Sequence, residues 1–374
     1  MAKEQTTNLG PLSLPPGSEG VVLQDGELTR TMVRATDNLY TLWDYTPVHT
    51  PMADYIDRFA QSLGLSVPHH TYRFVDRDGQ ILSLRSDITL FLMKQIHHFL
   101  QGAKLPLRLC YSDSIFRHQD RIDIGKNEYF QTGAELFGAE GRDGDLEILC
   151  LLAETLTTLK VHKPVLHVGS RKLFALLWNQ ASEPNLELIA RAISNRNWPV
   201  VEQLSQPVLG PRTSDLITLV SFIGHQVEIS QHLKKPSVQG LLAHFPLALE
   251  ELDHLIDLGS TLEKLFPQLD IRIDLSELGS QSYHSGIAFQ VYTDGTDTAL
   301  ASGGRYDGLL ASMGLSIPAV GFSLMLSKLL AHGSDSNLLT QTRVSSTSGK
   351  DDTSFEQRYQ EAQQARAKGT RVSL

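Results

Sequence analysis

The sequence predicts an α+β fold, a mainly antiparallel sheet flanked by helices, with a mostly helical insertion at about residues 171–267. Three observations lead there. YRFVDRDGQILSLR alternates apolar and polar residues on both sides of Asp78-Gly79, a pair suited to the positive φ angles of a tight hairpin turn. LPLRLCYSDSIFRHQD with KNEYFQTGAELFG, and LDIRIDLSEL with the stretch GSQSYHSGIAFQVYTDGTDTALASGGRYDGLL, repeat that strand-like alternation. Between Ser170 and about Pro267 the pattern turns helical, with polar breaks at SEPN and LGPRTSD.

Each element follows from local chemistry. Residues 1–19, with LPPGSEG, read as a polar lead along the surface until Leu28, Met32, Ala35, Leu39 and Leu42 set a helical period that ends near Trp43. YTPVHTPMADY then crosses as a short extended segment, because Pro47 and Pro51 push the residues before them out of helical geometry. Ser86 or Asp87 can cap the helix DITLFLMKQIHHFLQ. A charged loop at 120–126 joins the two strands of the second hairpin, and a helix over 143–159 leads into the short strand KPVLHVGS. PAVGFSLMLSKLL reads as a strand feeding a helix. Residues 333–354 are Ser-, Thr-, Asp- and Gly-rich, a flexible linker by composition. The last piece, 355–374, offers one helix and one short strand, too little to bury a core alone.

Composition excludes several function classes. The chain has 374 residues and is 41% hydrophobic, enough for a sizeable core. Its net charge of -9 argues against broad attraction to nucleic acid, since a phosphate backbone demands clustered Lys and Arg. Cys110 and Cys150 sit in apolar contexts and read as reduced core thiols, so neither a disulfide framework nor a metal site is expected. No apolar run approaches the roughly 18 residues of a membrane helix, and the cytoplasm is the expected location.

Functional residue types concentrate at a few places. Arg85 and Asp87 lie at a strand-to-helix junction, where side chains meet solvent or a cleft. Gln131, Gly133 and Glu135 share one face of a strand by its period of two, with Arg117 on the partner side of the same hairpin. Glu135 between Ala134 and Leu136 is a carboxylate on an apolar strand: alone it reads as a half-buried ion pair, but its partner could be a ligand cation. Tyr283 and His284 precede the strand IAFQVY, where a lone His is more often structural than a ligand contact. Gly303-Gly304-Arg305 could bring backbone and a guanidinium close to a ligand, yet GGRYDGLL has neither phosphate-loop spacing. These residues predict a small-molecule pocket and do not specify a reaction.

The order of the segments says more. LRSDIT, FRHQD, QTGAELFG, YHSGIAFQVY, SGGRYDGL and PAVGFSLMLSKLL resemble, in sequence and order, the catalytic domain of histidyl-tRNA synthetase, a class II synthetase, over about residues 20–331. That resemblance implies an antiparallel sheet flanked by helices, and residues 1–332 as one synthetase-like domain. Two kinds of protein share these segments: the synthetases, and the regulatory subunit of ATP phosphoribosyltransferase. The departures resemble the regulatory branch. Gly279 stands where a synthetase has an activating arginine, and the tyrosine pair has become Tyr283-His284. Lys328 stands where an arginine would hold ATP, and a lysine cannot stack a planar guanidinium on adenine. Gln119 replaces the usual glutamate, and the basic loop has become RIDIGKNE. After Leu330 only 44 residues follow, short of an anticodon-binding domain, so 355–374 reads as its remnant.

The resemblance thus implies a chain with no catalytic activity or cofactor of its own. It implies the short-form catalytic subunit of ATP phosphoribosyltransferase as partner, required for that enzyme's activity and histidine feedback, and self-association as a dimer within the hetero-oligomer. Neither tRNA nor membrane is an expected partner. Free histidine is the candidate ligand, with Asp87 and Gln131 at its α-amino group, Glu135 at its imidazole and Tyr283 or His284 beyond the ring. Thr89 and Arg117 complete the pocket candidates, and Arg85 and Arg305 are secondary ones. A histidyl-tRNA synthetase-like enzyme and an amino-acid-sensing dimeric scaffold with another partner are the alternatives.

Overall fold

The computed structural model describes residues 23–62, 70–118, 127–279, 281, 283–294, 296, 298–331, 345–346 and 354–373. The N-terminal lead, Gln119 with the loop 120–126, and nearly all of the linker at 333–354 therefore lie outside the described residues.

The chain opens with α1 (Leu23–Leu42), whose period presents Met32, Leu39 and Tyr40 to the core, and the helix stops where Asp44 turns to φ +70°. The proline-punctuated segment gives two short strands, β1 (Thr46–Pro47) and β2 (Ala53–Asp54), followed by α2 (Ile56–Ser62). The first hairpin is β3 (Arg73–Val75) and β4 (Ile81–Leu84), which with β2 form a small sheet in the order β2-β4-β3. Its turn differs from the expectation: of Asp78-Gly79 only Gly79 takes a positive φ, +77°, because the loop is five residues long and Asp76 accepts from the amides of Asp78 and Gln80. Asp87 caps α3 (Ile88–Leu100) by accepting from Leu90 N at 2.9 Å.

A long antiparallel pair follows, β5 (Leu107–Phe116) and β6 (Glu128–Phe137), and then α4 (Gly141–Thr158) and β7 (Val165–Ser170). The region expected to be helical runs through α5 (Arg171–Leu177), α6 (Glu183–Ser194), α7 (Trp198–Leu209), α8 (Thr213–Val220), a two-residue strand β8 (Ile223–Gly224), α9 (Gln226–His232), α10 (Pro236–Leu242) and α11 (Pro246–Leu265). Four strands and two short helices close the body: β9 (Asp270–Asp274), β10 (Ile287–Tyr292), β11 (Ala301–Arg305), α12 (Asp307–Ser312), β12 (Ala319–Met325) and α13 (Leu326–Ala331).

Nine of these strands make one sheet in the order β1-β5-β6-β12-β11-β10-β7-β9-β8. It is antiparallel except at β1 with β5 and β7 with β9. The strand period sorts β6 into two sides. Thr132, Ala134 and Leu136 point to a core shared with Tyr40 of α1 and Leu146 and Leu149 of α4, whereas Gln131, Gly133 and Glu135 point to the opposite face. Glycines keep that second face open. A Cβ at Gly321 of β12 would lie 1.8 Å from Glu135 Oε2, and one at Gly133 2.5 Å from the Tyr111 hydroxyl. Both cysteines are buried.

After β13 (Ser345–Ser346), α14 (Phe355–Ala367) and β14 (Thr370–Arg371) are docked on the body and do not stand apart. Phe355 and Tyr359 join the main core, and Val372 N donates to Leu42 O at 2.7 Å. Among the described residues no helix is long and apolar enough to cross a membrane.

Candidate ligand cavity on the open face of the sheet

A cavity of about 430 Å³ lies on the open face of the sheet, between α3, β6, β11, β12 and the segment before β10. Asp87, Thr89, Arg117, Glu135, Tyr283 and His284 all line it, so the structure brings together six residues that lie nearly 200 positions apart in the chain. Gln131 is on the same face but does not reach the wall: it is buried opposite Met325, and its Oε1 has no hydrogen-bond partner.

Glu135 is the floor. Thr89 Oγ1 donates to its Oε1 at 2.6 Å and the Tyr306 hydroxyl to its Oε2 at 2.5 Å, with the Tyr111 hydroxyl farther off at 3.5 Å. Burial pushes this carboxyl up to about 8, against the lowering effect of the hydroxyl donors. Asp87 is raised too, first by loss of water and despite the Leu90 amide and the nearby Arg117 charge. Its Oδ2 accepts from Gln281 Nε2 at 3.1 Å and from the Tyr283 hydroxyl at 3.4 Å. Arg117 Nε is fixed on Ser86 O at 2.9 Å, which points the charged end of motif FRHQD at the helix-capping turn. The site thus presents two carboxyl groups behind an aromatic rim of Tyr283 and Tyr306, edge to face at 5.9 Å. The two carboxyl groups suit an ammonium group or a ring N–H.

His284 is buried with Nδ1 unpartnered, and burial, with the Arg171 charge adding, lowers its ring to about 4, so it is a neutral wall. Lys328 reaches the cavity from α13, but its Nζ is spent on Thr298 Oγ1 at 2.5 Å and Ala299 O at 2.6 Å.

The two secondary candidates lie elsewhere. Arg85 is only 1% exposed and ties strands together, donating to Ser114 O, Thr50 O and Oγ1 and pairing with Asp113 at 3.0 Å. A guanidinium two residues before a cap could meet a ligand; the fold turns it inward onto β5 of the second hairpin. Arg305 is paired with Asp145 at 2.6 Å and faces a different cavity, beyond the ends of β10 and β11. Tyr306, beside Arg305 in GGRYDGL, also lines the cavity with Gln281 and Gln290, and none of the three is among the pocket candidates above. For Tyr306 the signal was available: the strand period puts it on the side opposite Arg305.

A sheet of this order, with motif residues converging on an amino-acid-sized cavity, defines a class II synthetase-like protein. The histidyl-tRNA synthetase family model matches residues 17–329. An ATP phosphoribosyltransferase regulatory subunit from Moorella thermoacetica is 29% identical over 372 residues, covering 97% of this chain and 92% of the relative. One from Bordetella pertussis is 30% identical over 331 residues, covering 86% and 83%. Solved structures show the same fold. One from Bacillus halodurans, described as an ATP phosphoribosyltransferase regulatory subunit/histidyl-tRNA synthetase, has a TM-score of 0.69 at 21% identity, covering 97% of this chain and 93% of that one. A chain of an ATP phosphoribosyl transferase complex from Thermotoga maritima has a TM-score of 0.57 at 19% identity, covering 79% and 96%. The chain belongs to the histidyl-tRNA synthetase-like family, in its branch of ATP phosphoribosyltransferase regulatory subunits.

Proposed function

We propose that this chain is the non-catalytic regulatory subunit of an ATP phosphoribosyltransferase, the enzyme of the first step of histidine biosynthesis. It binds the short-form catalytic subunit, self-associates as a dimer within that hetero-oligomer, and holds free histidine in the cavity floored by Glu135. It does not charge tRNA. Residues 1–332 act as the synthetase-like unit, 333–354 as a linker and 355–374 as a remnant of a further domain.

One observation carries the non-catalytic reading. A side chain at position 279 has nowhere to go, because its Cβ would lie 2.0 Å from His284 Nδ1. The amino-acid side keeps Asp87, Thr89 and Glu135, while the place of the activating arginine is filled by an uncharged ring. With Gly279 at one place and the Lys328 ammonium held on the β10–β11 loop at the other, the nucleotide side lacks both arginines that the resemblance assigns to it. Feedback then follows from linkage: histidine inhibits only by binding the states of the assembly unequally.

The test is reconstitution. The chain should bind the short catalytic subunit at micromolar concentration and raise its turnover, and histidine should suppress that activity. Histidine-dependent pyrophosphate exchange by the chain alone, or no binding to the catalytic subunit, would overturn the proposal.

A further inference from the structure

A second cavity, of about 640 Å³, opens between the C-terminal end of α6 and the segment after β9, a size within the range of small-ligand sites. It shares only Gln281 and Gln290 with the first. Its chemistry is of both signs. Arg191 reaches it from α6 and Arg196 from just past its end, while the carboxylates are Glu187 on α6 and Asp274 and Glu277 on the sheet side.

Arg196 stands where helices usually place glycine. Asn197 N donates to Ala192 O and Arg196 N to Ile193 O, closing α6 with a residue at φ +52°. The Arg196 guanidinium reaches Asp274 Oδ2 at 3.2 Å while remaining 52% exposed. Asp274 does not need it: His167 Nδ1 holds the same oxygen at 2.8 Å, and Ser276 N and Oγ hold the other. Arg196 is thus anchored by one edge and open on the rest, and among the described residues Arg191 has no ionic partner.

Glu277 has the opposite need. It is 8% exposed, and its Oε1 accepts from Gly279 N at 2.8 Å and Gln290 Nε2 at 3.3 Å. Among the described residues no donor reaches Oε2 and no Lys or Arg pairs with the group, and the His167 charge offsets only part of its loss of water. Burial accordingly pushes this carboxyl up to about 7. A desolvated carboxylate without a cation beside two available guanidiniums describes the two ends of an amino acid.

We propose that this cavity is a second ligand site for a free α-amino acid, with the ligand carboxylate on Arg191 and Arg196 and its ammonium group on Glu277. The site goes beyond the histidine cavity proposed above, and does not depend on it.

Calorimetric titration of the full chain with L-histidine and with glycine tests it, beside histidinamide, which lacks the carboxylate, and N-acetylhistidine, which lacks the ammonium group. L-Histidine should show two sites. Arg191→Gln, at an exposed position that does not threaten folding, and Glu277→Gln should each weaken one site by about tenfold or more, as each removes one charge-assisted contact. Asp87→Asn should weaken only the other. The two blocked analogues should also lose the site that depends on Arg191. Isotherms unchanged by Arg191→Gln and Glu277→Gln would overturn the proposal, whatever Asp87→Asn does, and so would no zwitterion binding at millimolar concentration. Inorganic phosphate bound with the same arginine dependence but no Glu277 dependence would overturn it in favour of a simple anion site.

Discussion

Gly279 and His284 occupy one space. Gly279 sits at φ +85°, and the Cβ of any other residue there would lie 2.0 Å from His284 Nδ1 and 2.9 Å from Cε1. On its far side the same ring packs against Gly304, where a Cβ would come within 3.1 Å. The imidazole is therefore clamped between two glycines, and an arginine at 279 requires its removal. Gly279→Arg should cost about 2–4 kcal/mol of stability, from left-handed backbone and overpacking together. Adding His284→Ala should recover part of it, a favourable coupling visible in urea unfolding of the two single variants and the double. Equal, additive losses would show that the clash is relieved elsewhere.

Glu135 makes stability fall with rising pH. Its folded value, about 8, lies above the ordinary 4.5, so between those values the folded state binds a proton that the unfolded state releases. The contribution is complete below pH 4.5 and lost as pH climbs through 8, with a slope of at most about 1.4 kcal/mol per pH unit. Glu277 acts in the same direction, but only up to about 7. His284 acts oppositely, and only on the acid side: its neutral buried form is disfavoured as pH drops from 6.5 through about 4. Urea midpoints should thus decline from pH 7 to 8.5 in the wild type, and Glu135→Gln should flatten that decline.

The sheet was legible because its strands carry their own period and turn residues; QTGAELF and IAFQVY announce both their state and their faces. The cavity was legible only through the order of motifs. Nothing local in LRSDIT tells that Asp87 faces the ligand side and Arg85 the interior, since both flank one helix start and the choice is made by β5, which offers Asp113 and the Ser114 carbonyl to Arg85. Nor does spacing reveal that Lys328 turns back on Ala299, a contact set by the β10–β11 loop. The docking of α14 escaped notice for the same reason: its partners lie some 200 to 300 positions away, on α1 and α4.

Arg85 predicts a loss of stability that is out of proportion to its surroundings. Removing it would leave the half-buried Asp113, the Thr50 hydroxyl and two carbonyls without their shared donor. Arg85→Met should cost about 2–4 kcal/mol in urea unfolding, because several acceptors lose one buried donor at once. Where the variant remains folded at low temperature, calorimetry should find histidine affinity within a few-fold of wild type, because Arg85 touches no wall of the cavity. A variant of full stability that has lost histidine would return Arg85 to the binding residues.

The C-terminal helix contributes stability through one residue in particular. Arg366 lies 3.5 Å over the Trp43 ring and donates to Val372 O, while Glu154 gathers Trp43 Nε1, the Tyr359 hydroxyl and Arg366 Nη1. A guanidinium this buried, 6% exposed, combines a cation–π contact with a paired charge, and its loss leaves Glu154 with two neutral donors but no cation. Arg366→Ala should lower stability by about 2–4 kcal/mol. Trp43 supplies the direct readout. Its fluorescence should shift to the red in Arg366→Ala before global unfolding, as α14 lifts and water reaches the ring, and Glu154→Gln should give a smaller shift because the aromatic contact survives. Unchanged emission with an unchanged midpoint would mean that α14 only rests on the body and does not help to hold it.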